Sequence, residues 1–152
     1  MRASVQGFSP EASNVLRYAQ EEAMRLNRKI VGSEHMLLAL VREEAGLAGR
    51  VLKDAGLSLE PTRTAVAELT GPARSLGGAP VALTLSVQQA LELAVDMAEQ
   101  THQEEINTGH LLLGLLTRGG VVMDVLNHFG IQGELVQERV RQELAQTGGK
   151  ER

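Results

Sequence analysis

The sequence predicts an all-α protein of eight helices, built as two tandem four-helix repeats related by pseudo-twofold symmetry. Apolar residues recur at spacings of three and four along most of the 152 residues, which is typical of helices that bury one face. The pattern of the first half returns in the second half at a shift of 75 residues, which becomes 74 after one loop residue is lost. Helix caps and loop glycines match as well as the apolar residues. Coinciding pairs include Leu16 with Leu91, Ala19 with Ala94, His35 with His110, Leu52 with Leu126 and Gly56 with Gly130.

The first helix of each repeat has a recognisable start. Ser9 is placed to cap the helix of the first repeat, and Pro10 follows at the first helical position. Thr84 or Ser86 is the corresponding cap in the second repeat. The apolar faces that follow are Ala12, Val15, Leu16, Ala19, Ala23 and Leu26 in the first repeat, and Val87, Ala90, Leu91, Ala94 and Ala98 in the second.

The second element of each repeat is a short, continuous apolar run, Met36–Val41 and Leu111–Leu116. Such a run fits either a buried strand or a buried helix. Its leucine-rich composition favours a helix, and Ser33 and Thr108 stand where helix caps belong. Because these helices are apolar on all sides, we expect them at the centre of the fold.

The third helix of each repeat is followed by a glycine, Gly56 or Gly130, and then by an apolar residue, which is typical of a left-handed C-cap. The fourth helices are predicted at about residues 59–69 and 135–145, with Pro61 in the first turn of the former. We expect one domain over residues 1–152: repeat 1 at about 8–70, a linker rich in glycine and proline at about 71–82, and repeat 2 at about 83–146.

Composition and charge exclude several classes of function. The absence of cysteine excludes disulfides, thiolate zinc sites and cysteine nucleophiles. An aromatic content of 2% and a net charge of −4 argue against nucleic acid and anionic lipid as partners. The N-terminus has no signal-peptide core, and the longest apolar runs fall far short of the roughly 20 residues of a membrane span. Glu92, Asp96 and Glu99 form an acidic stripe, either a solvated helix face or an attractive surface for a basic partner.

Two motifs recur in register across the repeats. The first repeat has Phe8–Pro10 and then Gly32–His35 before its leucine-rich run, and the second has Leu83–Leu85 and then Asn107–His110. With these motifs the chain resembles, over about residues 8–145, the N-terminal domain of Clp (Hsp100) AAA+ unfoldases, most of all the ClpC type. The resemblance implies a double Clp-N repeat that captures substrates and adaptor proteins for the unfoldase ring and its partner protease.

The resemblance also implies a specific ligand. In ClpC-type members, the acid of a Gly-Thr-Glu-His motif meets the guanidinium of phosphorylated arginine, and a threonine near the start of the repeat helps to hold the phosphate. Carried over, Ser9 and Glu34 would form one such site, while in the second repeat Thr84 is retained but Gly109 stands in place of the acid. We therefore expect one intact site at most, with Ser9, Glu34 and Thr84 as candidate residues. Alternatively, Glu34 only stabilises the positive end of its helix.

The two matching histidines, His35 and His110, are expected to be helix-end or core histidines that hydrogen-bond across the repeat interface. Metal binding is the alternative, with ligands added by His102, Glu104 and Glu105. However, the sequence contains neither a His-x-x-x-His nor a His-Glu-x-x-His spacing. We therefore expect no metal.

Catalysis is not expected. The sequence has no complete phosphate-binding loop, and spacing assembles no nucleophile and base, although an enzyme using Glu34, His35 and His110 is the rival hypothesis. We expect a substrate- and adaptor-binding module without cofactor, located in the cytoplasm, or in the plastid stroma if the source is a plant or alga. The alternatives are a free-standing accessory or adaptor protein that docks on the Clp protease or unfoldase, and a purely structural helical dimerisation unit.

Overall fold

The computed structural model describes residues 7–71 and 82–147, so most of the expected linker lies outside the described residues. Within these ranges the chain forms eight helices and four strands of two residues each. Repeat 1 contains β1 (Gly7–Phe8), α1 (Pro10–Arg25), β2 (Ile30–Val31), α2 (Ser33–Arg42), α3 (Leu47–Ala55) and α4 (Leu59–Thr70). Repeat 2 contains β3 (Ala82–Leu83), α5 (Leu85–Gln100), β4 (Glu105–Ile106), α6 (Thr108–Arg118), α7 (Val121–His128) and α8 (Gly133–Thr147). The predicted all-α fold class, with its two four-helix repeats, is confirmed.

Helix caps largely follow the sequence signals. The Ser9 hydroxyl accepts a hydrogen bond from the Ala12 N–H (3.1 Å), and the Thr84 hydroxyl accepts one from the Val87 N–H (3.2 Å). Thr84 rather than Ser86 is therefore the cap of α5. Gly56 has a left-handed backbone (φ 111°) and ends α3, as its position predicts.

The predicted caps of the two central helices are wrong by one residue. Gly32 and Asn107 are the N-caps, and Ser33 and Thr108 are the first helical residues of α2 and α6. A histidine three residues after each N-cap contributes to the capping, because its ring accepts a hydrogen bond from the backbone N–H of the N-cap residue.

Helices α2 and α6 form the centre of the fold, as their apolar sequences predict. Their leucines are almost fully buried: Leu37, Leu38, Leu40, Leu111, Leu112 and Leu115. Helix α1 packs on α2, and α5 packs on α6. Gly114 allows the backbone of α5 to come very close to α6, because a Cβ at this position would overlap the Ala90 carbonyl oxygen.

The short strands connect one repeat to the other. Strand β2 of repeat 1 pairs in parallel with β3 of repeat 2, and β1 of repeat 1 pairs in parallel with β4 of repeat 2. Each pair brings together two helix N-termini, one from each repeat. We call the place where α2 and α5 begin the Glu34 junction, and the place where α1 and α6 begin the Gly109 junction.

Candidate functional site

At the Glu34 junction, a residue of repeat 2 lies beside the motif of repeat 1. The Thr84 N–H donates to the Val31 carbonyl oxygen (2.9 Å), which continues the pairing of β2 with β3. Val31 directly precedes Gly32, the N-cap of α2. The pairing therefore holds the start of α5 against the start of α2, and both positive helix ends face the same region.

The Glu34 carboxylate is an available acidic group of this junction. It folds back over Gly32, where any Cβ would overlap it, and the side chain is only half-buried. Among the described residues, no hydrogen bond or ion pair engages the carboxylate. A carboxylate in the first turn of a helix is stabilised by the helix dipole. The Glu34 carboxylate is therefore open to a cationic ligand.

Glu34 and Thr84 share a cavity of about 570 Å³ with two cationic side chains, Arg28 and Lys29. The Arg28 guanidinium is already engaged, because it donates to the carbonyl oxygens of Thr70 (3.1 Å) and Gly71 (2.7 Å) at the end of α4. Lys29 is exposed and makes no ion pair with another described residue. The cavity thus combines one open carboxylate, two threonine residues (Thr70 and Thr84) and one open ammonium group.

His35 forms the inner wall of the cavity and has a structural role. Its Nδ1 accepts a hydrogen bond from the Gly32 N–H (2.9 Å), which leaves the proton of the neutral ring on Nε2. Burial lowers the pKa of His35, and the opposing effect of the Glu34 charge does not compensate for it. In α6, the Nδ1 of His110 accepts from the Asn107 N–H in the same way (3.0 Å). The predicted hydrogen bonds of these histidines across the repeat interface are therefore wrong: each histidine bonds the N-cap of its own helix.

The Gly109 junction has the same strand pairing but is closed. The Ser9 N–H donates to the Ile106 carbonyl oxygen (2.9 Å), and Ser9 is buried. The Thr108 hydroxyl accepts from the Ala48 N–H (3.0 Å), so the start of α3 lies over the start of α6.

Position 109 is tightly packed, which disfavours the acid found at the Glu34 junction. A Cβ on Gly109 would lie 3.2 Å from both Leu47 and Leu144, closer than most Cβ contacts in proteins. These leucines come from α3 and α8, so two helices cover the place where a second acid would stand. The Gly109 junction therefore differs from the Glu34 junction in packing as well as in sequence.

The structure corrects the expected pairing of Ser9 with Glu34. Ser9 lies at the Gly109 junction, and the hydroxyl that shares a cavity with Glu34 is that of Thr84. The reason is the strand pairing, which places the start of each repeat beside the second helix of the other. The sequence analysis also missed Arg28 and Lys29, although two consecutive cations shortly before the Gly32–His35 motif were a visible signal.

The structure gives little support to the other features considered in the sequence analysis. Within residues 7–71 and 82–147, no three histidine or acidic side chains come close enough to hold a metal ion, including His102 with Glu104 and Glu105. In the same ranges no single helix combines the length and apolarity of a membrane span; only α6 and α7 taken together do, and the chain bends by 96° between them. Glu92 and Asp96 of the acidic stripe are exposed on α5.

Comparison with known proteins identifies the family of the chain. The family model of the Clp repeat (R) N-terminal domain matches the chain twice, at residues 7–85 and 82–151. The chain belongs to this family. It is 36% identical over 141 residues to the chloroplastic chaperone protein ClpC1 of Oryza sativa subsp. japonica, which covers 92% of the chain and 15% of that relative. It is also 36% identical over 138 residues to the negative regulator of genetic competence ClpC/MecB of Bacillus subtilis (strain 168), covering 90% of the chain and 17% of that relative. The chain thus spans about one sixth of the length of these two relatives.

Solved structures of Clp N-domains have the same fold. The N-terminal domain of the chaperone ClpD from Arabidopsis thaliana superposes with a TM-score of 0.79 at 24% identity, over 91% of this chain and 94% of that one. A ClpV N-domain in complex with a VipB peptide superposes with a TM-score of 0.64 at 22% identity, over 86% of this chain and 82% of that one. The relatives include chloroplastic and bacterial proteins.

Proposed function

We propose that this Clp-N domain is a non-catalytic module that holds protein substrates and adaptors for a Clp unfoldase ring and its protease, in the cytoplasm or the plastid stroma. Its membership of the Clp-N family supports this role, and so does the ClpV N-domain of the same fold that holds a VipB peptide. The described residues offer clefts and charged side chains at the junctions of helices, which suit binding better than chemistry.

The specific ligand that we propose is phosphoarginine on a tagged protein, bound at the Glu34 junction. The observation that carries this proposal is the open Glu34 carboxylate, which faces a cavity shared with the Thr84 hydroxyl. A guanidinium pairs with a carboxylate through two parallel hydrogen bonds, which gives strength and direction. The phosphate attached to that guanidinium then needs donors and positive charge, which Thr84, Lys29 and the start of α5 supply.

One site of this kind is proposed, not two. Gly109 provides no carboxylate, and Leu47 and Leu144 lie where one would have to be. A single site gives no gain from simultaneous capture of two phosphoarginines on one substrate. Affinity for a tagged protein is therefore expected to be that of the Glu34 junction alone.

Isothermal titration with a phosphoarginine peptide and with its unmodified arginine counterpart tests this proposal. We expect saturable binding of the phosphorylated peptide at one site per chain, weaker binding of the unmodified peptide, and loss of binding in Glu34→Gln. The matched control is Glu44→Gln, which removes an equal charge from an exposed position of the same repeat. Equal binding by Glu34→Gln and the unaltered protein contradicts the proposal.

A further inference from the structure

The two repeats differ at one equivalent corner, between the end of the first helix and the fourth helix. Arg28 in repeat 1 and Gln103 in repeat 2 occupy matching positions there. Each directly follows a residue with a left-handed backbone. The backbone N–H of Arg28 donates to the Ala23 carbonyl oxygen (2.8 Å), and that of Gln103 donates to the Ala98 carbonyl oxygen (2.9 Å). The match of Arg28 with Gln103 therefore rests on the backbone structure as well as on the shift of 75 residues between the repeats.

In repeat 1 this corner also holds a cavity, of about 530 Å³, but the lining of that cavity includes the charged side chains Arg25, Arg28 and Glu68. Arg28 reaches across to the last carbonyl oxygens of α4. Beneath it, the buried Glu22 carboxylate accepts hydrogen bonds from Arg42 (3.2 Å) and from Arg63 (2.9 and 2.7 Å). These contacts join α1, α2 and α4.

In repeat 2 the corresponding residues are Met97 for Glu22, Gln103 for Arg28, Thr117 for Arg42 and Gln137 for Arg63. None of them is charged. A cavity of about 570 Å³ lies at this corner, between the end of α5, the start of α6 and the end of α8. Its walls are mainly apolar, formed by Met97, Leu113, Leu144 and Ala145. This size suits one large apolar side chain together with the peptide groups beside it.

The polar side chains that line this cavity are Gln100, Thr101, Gln103, His110 and Arg141. Two of them, Gln103 and Arg141, indicate what the occupant carries. Gln103 is only 9% exposed, and its Oε1 has no hydrogen-bond partner within the part of the chain that the structure describes. Buried carbonyl oxygens are nearly always hydrogen-bonded, so this one indicates a missing donor. At the rim, Arg141 is exposed and makes no ion pair with any described residue, and its counterpart in repeat 1 is the uncharged Ala67. The cavity therefore offers a hydrogen-bond acceptor, Gln103 Oε1, in its wall and a cation, Arg141, at its rim.

We propose that this cavity is a second polypeptide-binding site, which takes the carboxy-terminal end of a chain whose last residue is Leu, Met or Phe. The terminal side chain fills the apolar wall, the N–H of the last residue donates to Gln103 Oε1, and the terminal carboxylate pairs with Arg141. This inference rests on the proposed polypeptide-binding role but not on phosphoarginine, because Glu34 and Thr84 take no part in this cavity.

The test uses the full chain and fluorescent peptides that share one sequence but differ at the C-terminus. One ends in leucine with a free carboxylate, one ends in leucine amide, and one ends in serine with a free carboxylate. We expect saturable binding of the first peptide, with about fivefold weaker binding of the amide, a typical effect of removing one partner of an exposed charge pair. The serine peptide is expected to bind at least about tenfold more weakly, because it leaves the apolar wall unfilled.

Three variants examine the contacts one by one. Met97→Glu introduces the repeat 1 residue and is expected to abolish binding of the leucine peptide. Gln103→Leu keeps the volume but removes the acceptor, and is expected to weaken binding about fivefold. Arg141→Gln is expected to weaken the free acid but not the amide. Its control is Arg118→Gln, which removes an equal charge from an exposed position on α6 and is expected to change neither.

The outcomes separate this site from the Glu34 junction. Support requires that Met97→Glu keeps phosphoarginine binding while losing the leucine peptide, and that Glu34→Gln does the reverse. Equal affinity for the acid and the amide, or leucine-peptide binding unaffected by both Met97→Glu and Gln103→Leu, overturns the inference. So does self-association of the unaltered protein, measured by sedimentation, that Met97→Glu abolishes, because a second copy is then the occupant. Failure of the leucine peptide alone leaves the proposed function standing, whereas failure to bind any Clp substrate or adaptor removes both.

Discussion

Thr84 of the second repeat faces the same cavity as Glu34 of the first, and the hydrogen bond from the Thr84 N–H to the Val31 carbonyl oxygen (2.9 Å) holds them there. The candidate phosphoarginine site therefore exists only when the two repeats are docked. Neither repeat contains both groups by itself.

Restoring an acid to the second repeat is expected to damage the fold instead of creating a second site. In Gly109→Glu, the new Cβ would meet Leu47 and Leu144 at 3.2 Å, and the carboxylate would begin in a buried position. We expect a loss of about 3 kcal/mol in the free energy of unfolding, measured by urea denaturation. The control Thr117→Glu adds the same charge at an exposed position of α6. Two bound phosphoarginine peptides per chain in a fully stable Gly109→Glu variant would contradict the packing argument.

The buried ion cluster of repeat 1 should behave as a unit. Glu22 is 1% exposed and joins Arg42 and Arg63, so Glu22→Met alone removes the buried carboxylate and leaves each guanidinium only its more exposed partner, Glu21 or Glu60. We expect it to cost about 3–5 kcal/mol of unfolding free energy. Adding Arg42→Thr and Arg63→Gln, which completes the set found in repeat 2, should recover much of that loss. Glu21→Ala, which removes an exposed partner of Arg42, should cost less than about 1 kcal/mol. A triple variant less stable than Glu22→Met would refute the comparison of the two corners.

Stability is expected to decrease in mild acid because of His35. Burial lowers the pKa of this histidine; the charges of Glu34 and Glu22 raise it, and that of Arg28 lowers it further, with a net decrease. The unfolded chain therefore binds a proton at a higher pH than the folded one. The contribution of His35 to the free energy of unfolding is complete above about pH 6.5 and is lost as the pH falls from there. Urea denaturation between pH 7.5 and 5 should show this decrease, and His35→Gln should reduce it. An identical decrease in both proteins would assign the effect to other groups.

A second loss of stability is expected at lower pH from Glu22. Burial raises the pKa of Glu22, but the hydrogen bonds and charges of Arg63 and Arg42 more than compensate, so the pKa lies below the ordinary value of 4.5. The unfolded state then binds the proton first, and stability falls as the pH drops below about 4.5. In the triple variant without this cluster, this acid step should be smaller than in the unaltered protein.

Two helical glycines should respond to alanine to different extents. Helix propensity alone favours alanine by about 1 kcal/mol, but a Cβ at Gly114 would overlap the backbone oxygen of Ala90 in the neighbouring α5. We expect Gly114→Ala to destabilise the protein by about 2 kcal/mol. At Gly133 the neighbour is the flexible end of Met123, which can move, so Gly133→Ala should cost less. Thermal unfolding of both variants provides the measurement, and a stabilised Gly114→Ala would show that the two helices are not in close contact.

Much of the fold could be predicted from the sequence because its signals are local. Helical periodicity, the cap at Ser9 and the left-handed Gly56 act within a few residues of the chain, and the structure confirms each of them. The cap of α6 is Asn107, a common capping residue whose Oδ1 accepts from the His110 N–H, and the sequence analysis chose the neighbouring Thr108 instead. The cap of α2 was misplaced because Gly32 has no capping side chain and the capping contact is made by the His35 ring. Hydrogen bonds of this kind have a weaker sequence signature than a serine or threonine cap.

The arrangement of the candidate site could not be predicted in the same way. The family resemblance was carried over within one repeat and so paired Ser9 with Glu34, whereas each two-residue strand pairs with a strand of the other repeat. Strands as short as Ile30–Val31 carry no usable alternation, and their parallel pairing depends on how the central helices pack. Likewise, the closure of the Gly109 junction by Leu47 and Leu144 is a tertiary contact between distant helices.

A double-mutant cycle on phosphoarginine binding tests the central claim most directly, since it asks whether Glu34 and Thr84 act on one ligand. Thr84→Ser, which keeps the hydroxyl and the cap, is the control for Thr84→Val. Affinities are measured by titration calorimetry for Glu34→Gln, Thr84→Val and the double variant. The account predicts one site per chain and losses that are clearly non-additive, because both groups hold the same phosphoarginine. Additive losses, or two sites per chain, would contradict a single site built across the two repeats.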